Sequence, residues 1–140
     1  MAQLQVDIVS AEGHLHKGEA AMVFAPAEMG EVGIAPRHSP LLTRLKPGTV
    51  RVRTTSGQEL SFFVTGGILE VQPHLVTVLA DSALHSKDAD EAAALKAKQD
   101  AEEKLAGAKT STDLAKAQQE LVEAAARLEF ARKLHNIAGH

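Results

Sequence analysis

The fold of the first part of the chain is decided by the stretch Ile68-Leu69-Glu70-Val71-Gln72-Pro73-His74-Leu75-Val76-Thr77-Val78-Leu79. Two short runs rich in Val, Leu and Ile lie on either side of a Pro-containing segment of three residues. β-Branched and large apolar residues favour strands, whereas Pro favours turns. The stretch therefore predicts two antiparallel strands joined by a tight turn.

Similar patterns occur on the amino-terminal side of this hairpin. Leu4, Val6 and Ile8 alternate with polar residues, which indicates a strand with one face in a core and the other in water. Val50 and Val52 alternate in the same way, and the chain turns at Ser56-Gly57 before a further apolar run over residues 60–64. Because a parallel sheet would need helical crossovers, for which there is no room, we expect an antiparallel sandwich or barrel.

The composition changes near residue 85. All five Pro and eight of the ten Gly precede this residue, whereas 15 of the 24 Ala follow it. Ala is the strongest helix former, and the later part is also rich in Glu, Lys and Leu. We therefore predict an α+β protein with an antiparallel β-sandwich over residues 1–86 and an antiparallel two-helix hairpin over residues 87–140.

The predicted hairpin has recognisable ends and a narrow apolar seam. Asp88 is a candidate N-cap for the first helix, Gly107 interrupts the helical pattern, and residues 110–113 supply caps for a second helix. The second helix carries a heptad seam, and an Ala-rich stripe on the first helix matches it; the seam consists of Leu114, Ala117, Leu121, Ala124, Leu128 and Ala131. Small residues bury little apolar area, so we expect a hairpin that can fold and can also open.

Several classes of function are excluded by composition. A chain of 140 residues without Cys has no disulfide framework, thiolate zinc site or cysteine nucleophile. A net charge of −3 argues against nucleic-acid binding. The chain has no apolar run long enough for direct insertion into a bilayer, and it begins without a signal-peptide pattern.

No catalytic motif stands out. The seven His lack the spacing of a zinc site, and the Gly30–Gly33 segment lacks the Lys and Ser/Thr of a phosphate-binding loop. The residues alone favour an interaction protein without catalytic residues or a metal site. The alternative is a small nucleotide- or metal-dependent enzyme or sensor, whose ligand-binding residues the sequence does not display.

Two segments resemble a known family. They are Gly30–Gly48, GEVGIAPRHSPLLTRLKPG, and Gly66–Asp81, GGILEVQPHLVTVLAD, and the opening Val6–Glu12 fits as well. They are similar to the epsilon subunit of bacterial F-type ATP synthase, which corresponds to delta in mitochondria. The resemblance extends over the whole chain and is most specific in the first 85 residues.

The resemblance implies a non-catalytic subunit of the rotor stalk, which couples proton flow through the c ring to ATP synthesis. It implies that the sandwich binds the gamma subunit and the c-subunit ring. It also implies a mobile hairpin that extends toward the alpha and beta subunits and inhibits ATP hydrolysis. The expected location is the cytoplasmic face of the bacterial inner membrane, as a peripheral part of the complex.

The resemblance also assigns candidate contacts. Glu31 matches a turn that faces the polar loops of the c ring, which carry basic residues, and the adjoining contact loop matches Arg37, His38, Ser39 and Pro40. On the hairpin, the surface expected to exchange between the first helix and gamma contains Leu114, Leu121 and Leu128. The basic residues expected to meet the catalytic head are Arg127, Arg132 and Lys133.

The family's ATP-binding motif is degraded in this chain. The motif reads Ile/Leu-Asp-x-x-Arg-Ala, and here Asp90 is retained whereas Ala93 replaces the Arg. On the second helix Arg127 matches a nucleotide-facing arginine, and Glu123 lies where another is expected. Because Arg is the bidentate donor to phosphate, we expect weak or absent ATP binding and no cofactor.

Overall fold

The computed structural model describes residues 3–138, with the side chains in that range except those of Lys87 and residues 135–138. The chain divides into two compact units, residues 1–86 and residues 87–140. Residues 1–2 and 139–140, which the predicted domain ranges include, lie outside the described residues.

Within the residues that the structure describes, the first unit contains ten strands. The strands are β1 (Leu4–Ser10), β2 (Gly13–Ala20), β3 (Met22–Ala27), β4 (Gly30–Ile34), β5 (Leu41–Leu45), β6 (Gly48–Arg53), β7 (Glu59–Val64), β8 (Gly67–Val71), β9 (Leu75–Ala80) and β10 (Ala83–His85). They follow the order β10-β7-β6-β3-β5-β8-β9-β1-β2, and β4 pairs with β3. A 3-10 turn over Ser86–Asp88 follows β10.

The hairpin predicted over residues 68–79 is confirmed. β8 and β9 pair antiparallel, with Leu69 opposite Val78 and Val71 opposite Val76. The backbone N–H of Gln72 donates to the carbonyl oxygen of Leu75 at 2.8 Å, which closes the turn. The paired residues with buried side chains face one core, so the pairing register places the apolar set of both strands on the same side.

One strand pair departs from the antiparallel prediction. β1 and β9 run parallel, with Val6 opposite Val76 and Ile8 opposite Val78. No helical crossover is needed, because the seven strands between β1 and β9 supply the long connection that parallel neighbours require. The expectation of a purely antiparallel sheet is therefore wrong at this pair, while the other paired strands are antiparallel.

The core of the first unit consists almost entirely of aliphatic side chains, with Phe62 as its largest fully buried member. Leu4, Val6 and Ile8 are completely buried, as their alternation predicts, and Val50 and Val52 are too. A large continuous apolar core is the main source of stability in such a unit. The predicted fold class, a β-sandwich followed by two helices, is confirmed.

Glycine is required where β8 begins. Gly66 and Gly67 have φ values of +135° and +138°, in the region that side-chain-bearing residues rarely adopt. A Cβ atom on Gly67 would overlap the carbonyl oxygen of Leu79 on the neighbouring strand. Gly67, the second residue of the second family-like segment, thus allows the close approach of β8 to β9.

The described part of the second unit contains two helices, α1 (Glu91–Ala106) and α2 (Ser111–Ala138). The predicted N-cap of α1 is wrong by two residues. Asp90, not Asp88, caps this helix, and its Oδ1 accepts hydrogen bonds from the N–H groups of Ala92 at 3.0 Å and Ala93 at 3.3 Å. Asp88 instead belongs to the 3-10 turn. The first N–H groups of α1, which have no partner within the helix, are therefore capped by Asp90.

The turn between the helices follows the sequence signals. Gly107 is the C-cap of α1, and its N–H donates to the carbonyl oxygen of Glu103 at 3.1 Å. At the start of α2, the hydroxyl of Thr110 accepts from the N–H of Asp113 at 3.0 Å. In the described range, no helix is both long enough and apolar enough to cross a bilayer.

Candidate docking and regulatory surfaces

Glu31 lies in strand β4 and not in a loop, contrary to the expectation from the resemblance. It is paired in register with Pro26 of β3. Its Oε1 accepts a hydrogen bond from Nη2 of Arg51 on β6 at 2.9 Å, a contact that reaches across β3. The Glu31 side chain is nevertheless 55% exposed, so the strand presents it to solvent while Arg51 holds one of its oxygens.

Arg51, on the outer face of the sheet, contacts two further side chains besides Glu31. Its guanidinium lies 4.3 Å from the centre of the Phe24 ring, in cation–π geometry. A second carboxylate, that of Glu59, lies 3.4 Å from its Nη1. No local sequence pattern marks Arg51, because its three partners come from three other strands.

The tip of the β3–β4 hairpin carries an unusually exposed apolar side chain. Met29 is 96% exposed, two residues before Glu31. The N–H of the neighbouring Glu28 donates to the carbonyl oxygen of Arg44 at 2.9 Å, which fixes this tip beside β5. An isolated exposed Met is common, but its position next to an exposed carboxylate gives the tip both apolar and acidic contact chemistry.

The segment containing Arg37, His38, Ser39 and Pro40 connects β4 to β5. The N–H of Arg37 donates to the carbonyl oxygen of Pro73 at 2.8 Å, which ties the segment to the β8–β9 turn. Arg37 is also the one non-glycine residue in the described range with positive φ, at 68°. Among the described residues, Glu31 forms its hydrogen bond with Arg51 of β6, whereas the backbone of Arg37 is hydrogen-bonded to the β8–β9 turn. The two predicted contacts are therefore held by different parts of the sandwich.

A shallow depression lies beside this segment. It has a volume of about 360 Å³, and its lining includes Pro40, Leu42 and Glu70. Leu42 is 71% exposed, which makes this a second apolar feature of the sandwich surface.

The three leucines of the predicted seam differ in exposure. Leu128 is 2% exposed and packs in one cluster with Ala94 of α1 and Ala131. Leu121 is half-buried, whereas Leu114 is 42% exposed. Among the three leucines the packing is therefore tightest at Leu128 and loosest at Leu114, although the seam residue Ala117, three residues after Leu114, is buried as well. Phe130 is also buried although it lies off the predicted heptad.

Two of the three predicted basic contacts form ion pairs within the hairpin. Nε of Arg132 lies 3.4 Å from Oε1 of Glu91 on α1, and Nζ of Lys133 lies 3.2 Å from Oε1 of Glu129. Arg127 is half-buried and forms no ion pair with another described residue. Exposed pairs of this kind contribute at most about 1 kcal/mol, so they do not prevent exchange with a partner.

Asp90, the residue of the nucleotide motif that this chain retains, acts as a helix cap. Oδ1 of Asp90 already accepts the two N–H groups at the start of α1, and Ala93 contributes no polar atom. Within residues 3–138, neither a hydrogen bond nor an ion pair connects Asp90 to Arg127. The side-chain amide of Gln119 donates to Glu123 at 3.0 Å, where the family places a second arginine.

The rings of two histidines contact Phe62, the largest fully buried side chain of the core, in tilted and edge-to-face geometry. The ring centres of His16 and Phe62 are 5.4 Å apart, and those of Phe62 and His85 are 4.7 Å apart. Burial lowers the pKa of His16, nearby His85 lowers it further, and Asp7 opposes the shift. Over the described part of the chain, His, Cys, Asp and Glu form no group of three that could hold a metal ion.

Comparison with known proteins identifies the family. The family model described as ATP synthase, Delta/Epsilon chain, beta-sandwich domain matches residues 3–86. The model of the long alpha-helix domain of the same chains matches residues 87–132. The chain belongs to the ATP synthase delta/epsilon family.

Curated relatives match this epsilon-family chain over nearly its whole length. The ATP synthase epsilon chain of Nitrosococcus oceani is 57% identical over 136 residues, which cover 97% of each chain. That of Thioalkalivibrio sulfidiphilus is 60% identical over 130 residues, 92% of each chain. Both confirm the resemblance and the prediction of a non-catalytic ATP synthase subunit.

Solved structures share the fold of the epsilon-family chain. A chain of the mitochondrial ATP synthase of Euglena gracilis, in an OSCP/F1/c-ring structure, matches with a TM-score of 0.78 and 18% identity, covering all of this chain and 83% of that one. A chain of the Tetrahymena thermophila central stalk and c ring matches with a TM-score of 0.63 and 17% identity, covering 94% and 96%. At these identities the likeness describes the fold.

Proposed function

We propose that this protein is a central-stalk subunit of the rotor of a proton-translocating ATP synthase. In this role it links the gamma subunit to the c-subunit ring and so couples proton flow to ATP synthesis. Its proposed location is peripheral, at the cytoplasmic face of the bacterial inner membrane. Membership in the delta/epsilon family supports the role, since the curated relatives are ATP synthase epsilon chains.

The sandwich is the proposed docking unit. Glu31 carries an exposed carboxylate next to the fully exposed tip residue Met29, and both suit a partner loop that offers a cation beside an apolar surface. Arg37, His38, Ser39 and Pro40 form the proposed adjoining contact. Stoichiometric co-purification of the gamma subunit with a tagged chain tests this role, and a chain that purifies alone from cells with an intact ATP synthase would contradict it.

The hairpin is the proposed inhibitory arm. The observation that carries this proposal is the unequal packing of α2, with Leu128 buried against α1 while Leu114 remains exposed. An element that switches between two packings needs a free-energy gap of only a few kcal/mol, which a mostly Ala-based contact can supply. In the extended state Leu114, Leu121 and Leu128 bind gamma, and Arg127, Arg132 and Lys133 meet the alpha and beta subunits.

Removal of the arm tests the inhibitory role. The division after residue 86 suggests a truncated chain that retains the whole sandwich core. The assembled complex with residues 88–140 deleted should hydrolyse ATP faster than the parent, with gamma still bound. An unchanged rate in a fully assembled complex would contradict the inhibitory role and leave the docking role intact.

Nucleotide sensing is not part of the proposed function. The Asp of the family motif caps α1, and Ala93 stands where the phosphate-binding Arg is expected. We propose that regulation depends on the two packings of the hairpin and not on ATP binding to this subunit.

A further inference from the structure

We propose that Arg51 is a positioning residue for the docking contact of Glu31. It holds one carboxylate oxygen and leaves the other to a cation of the c-ring loops. This inference rests on the proposed docking function of Glu31. It adds a residue that lies on a different strand and that the family-like segments do not include.

The geometry shows how Arg51 can hold Glu31. Nη2 of Arg51 bonds to Oε1 of Glu31 at 2.9 Å, and no contact of a described residue with Oε2 accompanies this bond. A carboxylate accepts hydrogen bonds at both oxygens, so the second oxygen can take a further donor. With 55% of the side chain exposed, that donor can come from a partner.

Arg51 itself is held from two other directions. Its guanidinium lies over the Phe24 ring at 4.3 Å, and Glu59 lies 3.4 Å from Nη1. Phe24 is the cross-strand partner of both Arg51 on β6 and Gly33 on β4. Because Gly33 has no side chain, the Phe24 ring can cover it, and the Arg51 guanidinium can then reach toward Glu31 on the far strand.

This arrangement fixes the position of the Glu31 side chain and adds little to the stability of the sandwich. Exposed ion pairs contribute little to folding, so the Arg51–Glu31 pair is a weak reason for the sandwich to be stable. A long side chain that is already ordered, however, loses less conformational freedom when a partner binds. The proposed effect of Arg51 is therefore on the binding of the full chain to its complex and on the salt dependence of that binding.

Arg53 provides a matched control. It lies on the same strand, two residues from Arg51, and on the same outer face. It also approaches Glu59, at 3.8 Å, and lies near Phe24, at 5.4 Å. It has no ion pair with Glu31, so Arg53→Gln removes a similar charge without touching the proposed contact.

The test is rebinding of the full chain to membranes whose ATP synthase lacks this subunit, titrated at low and high salt. Glu31→Gln and Arg51→Gln should each weaken binding about two- to fivefold at low salt, the range that exposed ion-pair energies correspond to. Arg53→Gln should bind like the parent. The double variant Glu31→Gln with Arg51→Gln should be no weaker than Glu31→Gln alone, because the two residues act through one contact.

Other outcomes separate the inference from the proposed function. If Glu31→Gln weakens binding and Arg51→Gln does not, Arg51 has no positioning role and the docking proposal survives. If Glu31→Gln binds like the parent, both fail. The charge swap Glu31→Arg with Arg51→Glu keeps an ion pair but presents the wrong charge to the partner, so full recovery of binding would also overturn both.

Discussion

Leu128 of α2 packs against Ala94 of α1, and both side chains are almost completely withdrawn from water, at 2% and 0% exposure. Fourteen residues earlier on the same helix, Leu114 remains 42% exposed. The same heptad seam thus contains one leucine that stabilises the folded hairpin and one that contributes little to it. This difference allows the extended packing of the proposed arm to be altered at Leu114 with little effect on the folded hairpin.

Substitution at these two leucines should have different consequences for the stability of the folded hairpin. Leu128→Ala removes a buried side chain and should destabilise the folded hairpin by about 2–5 kcal/mol. Leu114→Ala should change its stability by less than about 0.5 kcal/mol. In the proposed extended arm, however, Leu114 would bind gamma, so its removal should raise ATP hydrolysis by the complex.

Amide exchange across α1 and α2, paired with hydrolysis rates, checks both effects. Leu114→Ala should leave protection intact while relieving inhibition. Loss of protection on Leu114→Ala equal to that on Leu128→Ala would show that the exposed end of the seam stabilises the folded hairpin after all.

The isolated sandwich, residues 1–86, should fold without the helices. The main core cluster, from Leu4 to Ala80, lies entirely in this range. We expect a fragment of residues 1–86 to show cooperative urea unfolding and protected amides in β1, β8 and β9. A molten or helical product would contradict the prediction.

The stability of the sandwich should fall in mild acid because of His16. Burial and nearby His85 lower the pKa of this histidine below its ordinary value of 6.5. The unfolded chain therefore binds a proton more readily than the folded chain, and stability is lost as the pH falls below about 6.5. Asp7 opposes the lowering of the His16 pKa and so reduces the loss of stability in acid.

Urea unfolding of the sandwich at pH 7.5 and pH 5.5 measures this effect. His16→Gln should reduce the difference in unfolding free energy between the two pH values. His14→Gln changes an exposed histidine on the same strand and serves as the control. An unaltered pH dependence in His16→Gln would assign the acid sensitivity to other groups.

ATP should bind weakly or not at all to the isolated subunit. Ala93 supplies no phosphate contact, and Asp90 already caps α1. Calorimetric titration of the parent should give no micromolar binding, whereas Ala93→Arg should raise affinity if the rest of the site is intact. Asp90→Asn separates the two roles of this residue, since Asn also caps helices but lacks the charge. Micromolar affinity in the parent would contradict the prediction.

Local sequence patterns predict the strands of the sandwich well, and the physical reason is their period of two. The burial of Val50 and Val52 and the hairpin over residues 68–79 agree with the prediction. Both depend on short-range signals, namely alternation and turn residues. The parallel pairing of β1 with β9 is not predicted, since it joins residues about 70 positions apart. The N-cap of α1 is misplaced because Asp88 and Asp90 have the same capping chemistry, and only the 3-10 turn distinguishes them.

The candidate contacts are less predictable than the fold. Alternation shows that Arg51 points away from the core formed by Val50 and Val52, but nothing in the sequence indicates that it meets Glu31. That contact depends on the order β6-β3-β4 in the sheet, which is a property of the whole fold. The exposure of Leu114 cannot be predicted for a similar reason. The heptad pattern does not show where α1 ends relative to α2.

The most direct test of the account is a reversible crosslink that holds α1 against α2. Ala94→Cys with Ala131→Cys places two thiols in the buried cluster around Leu128, and the protein has no other cysteine. ATP hydrolysis by the assembled complex is measured with the disulfide formed, as verified on a non-reducing gel, and again after reduction; each single variant is the control. If the hairpin is an inhibitory arm, hydrolysis should be faster when the hairpin is locked and should return to the inhibited rate on reduction. Equal rates in the fully cross-linked and reduced complexes would contradict it.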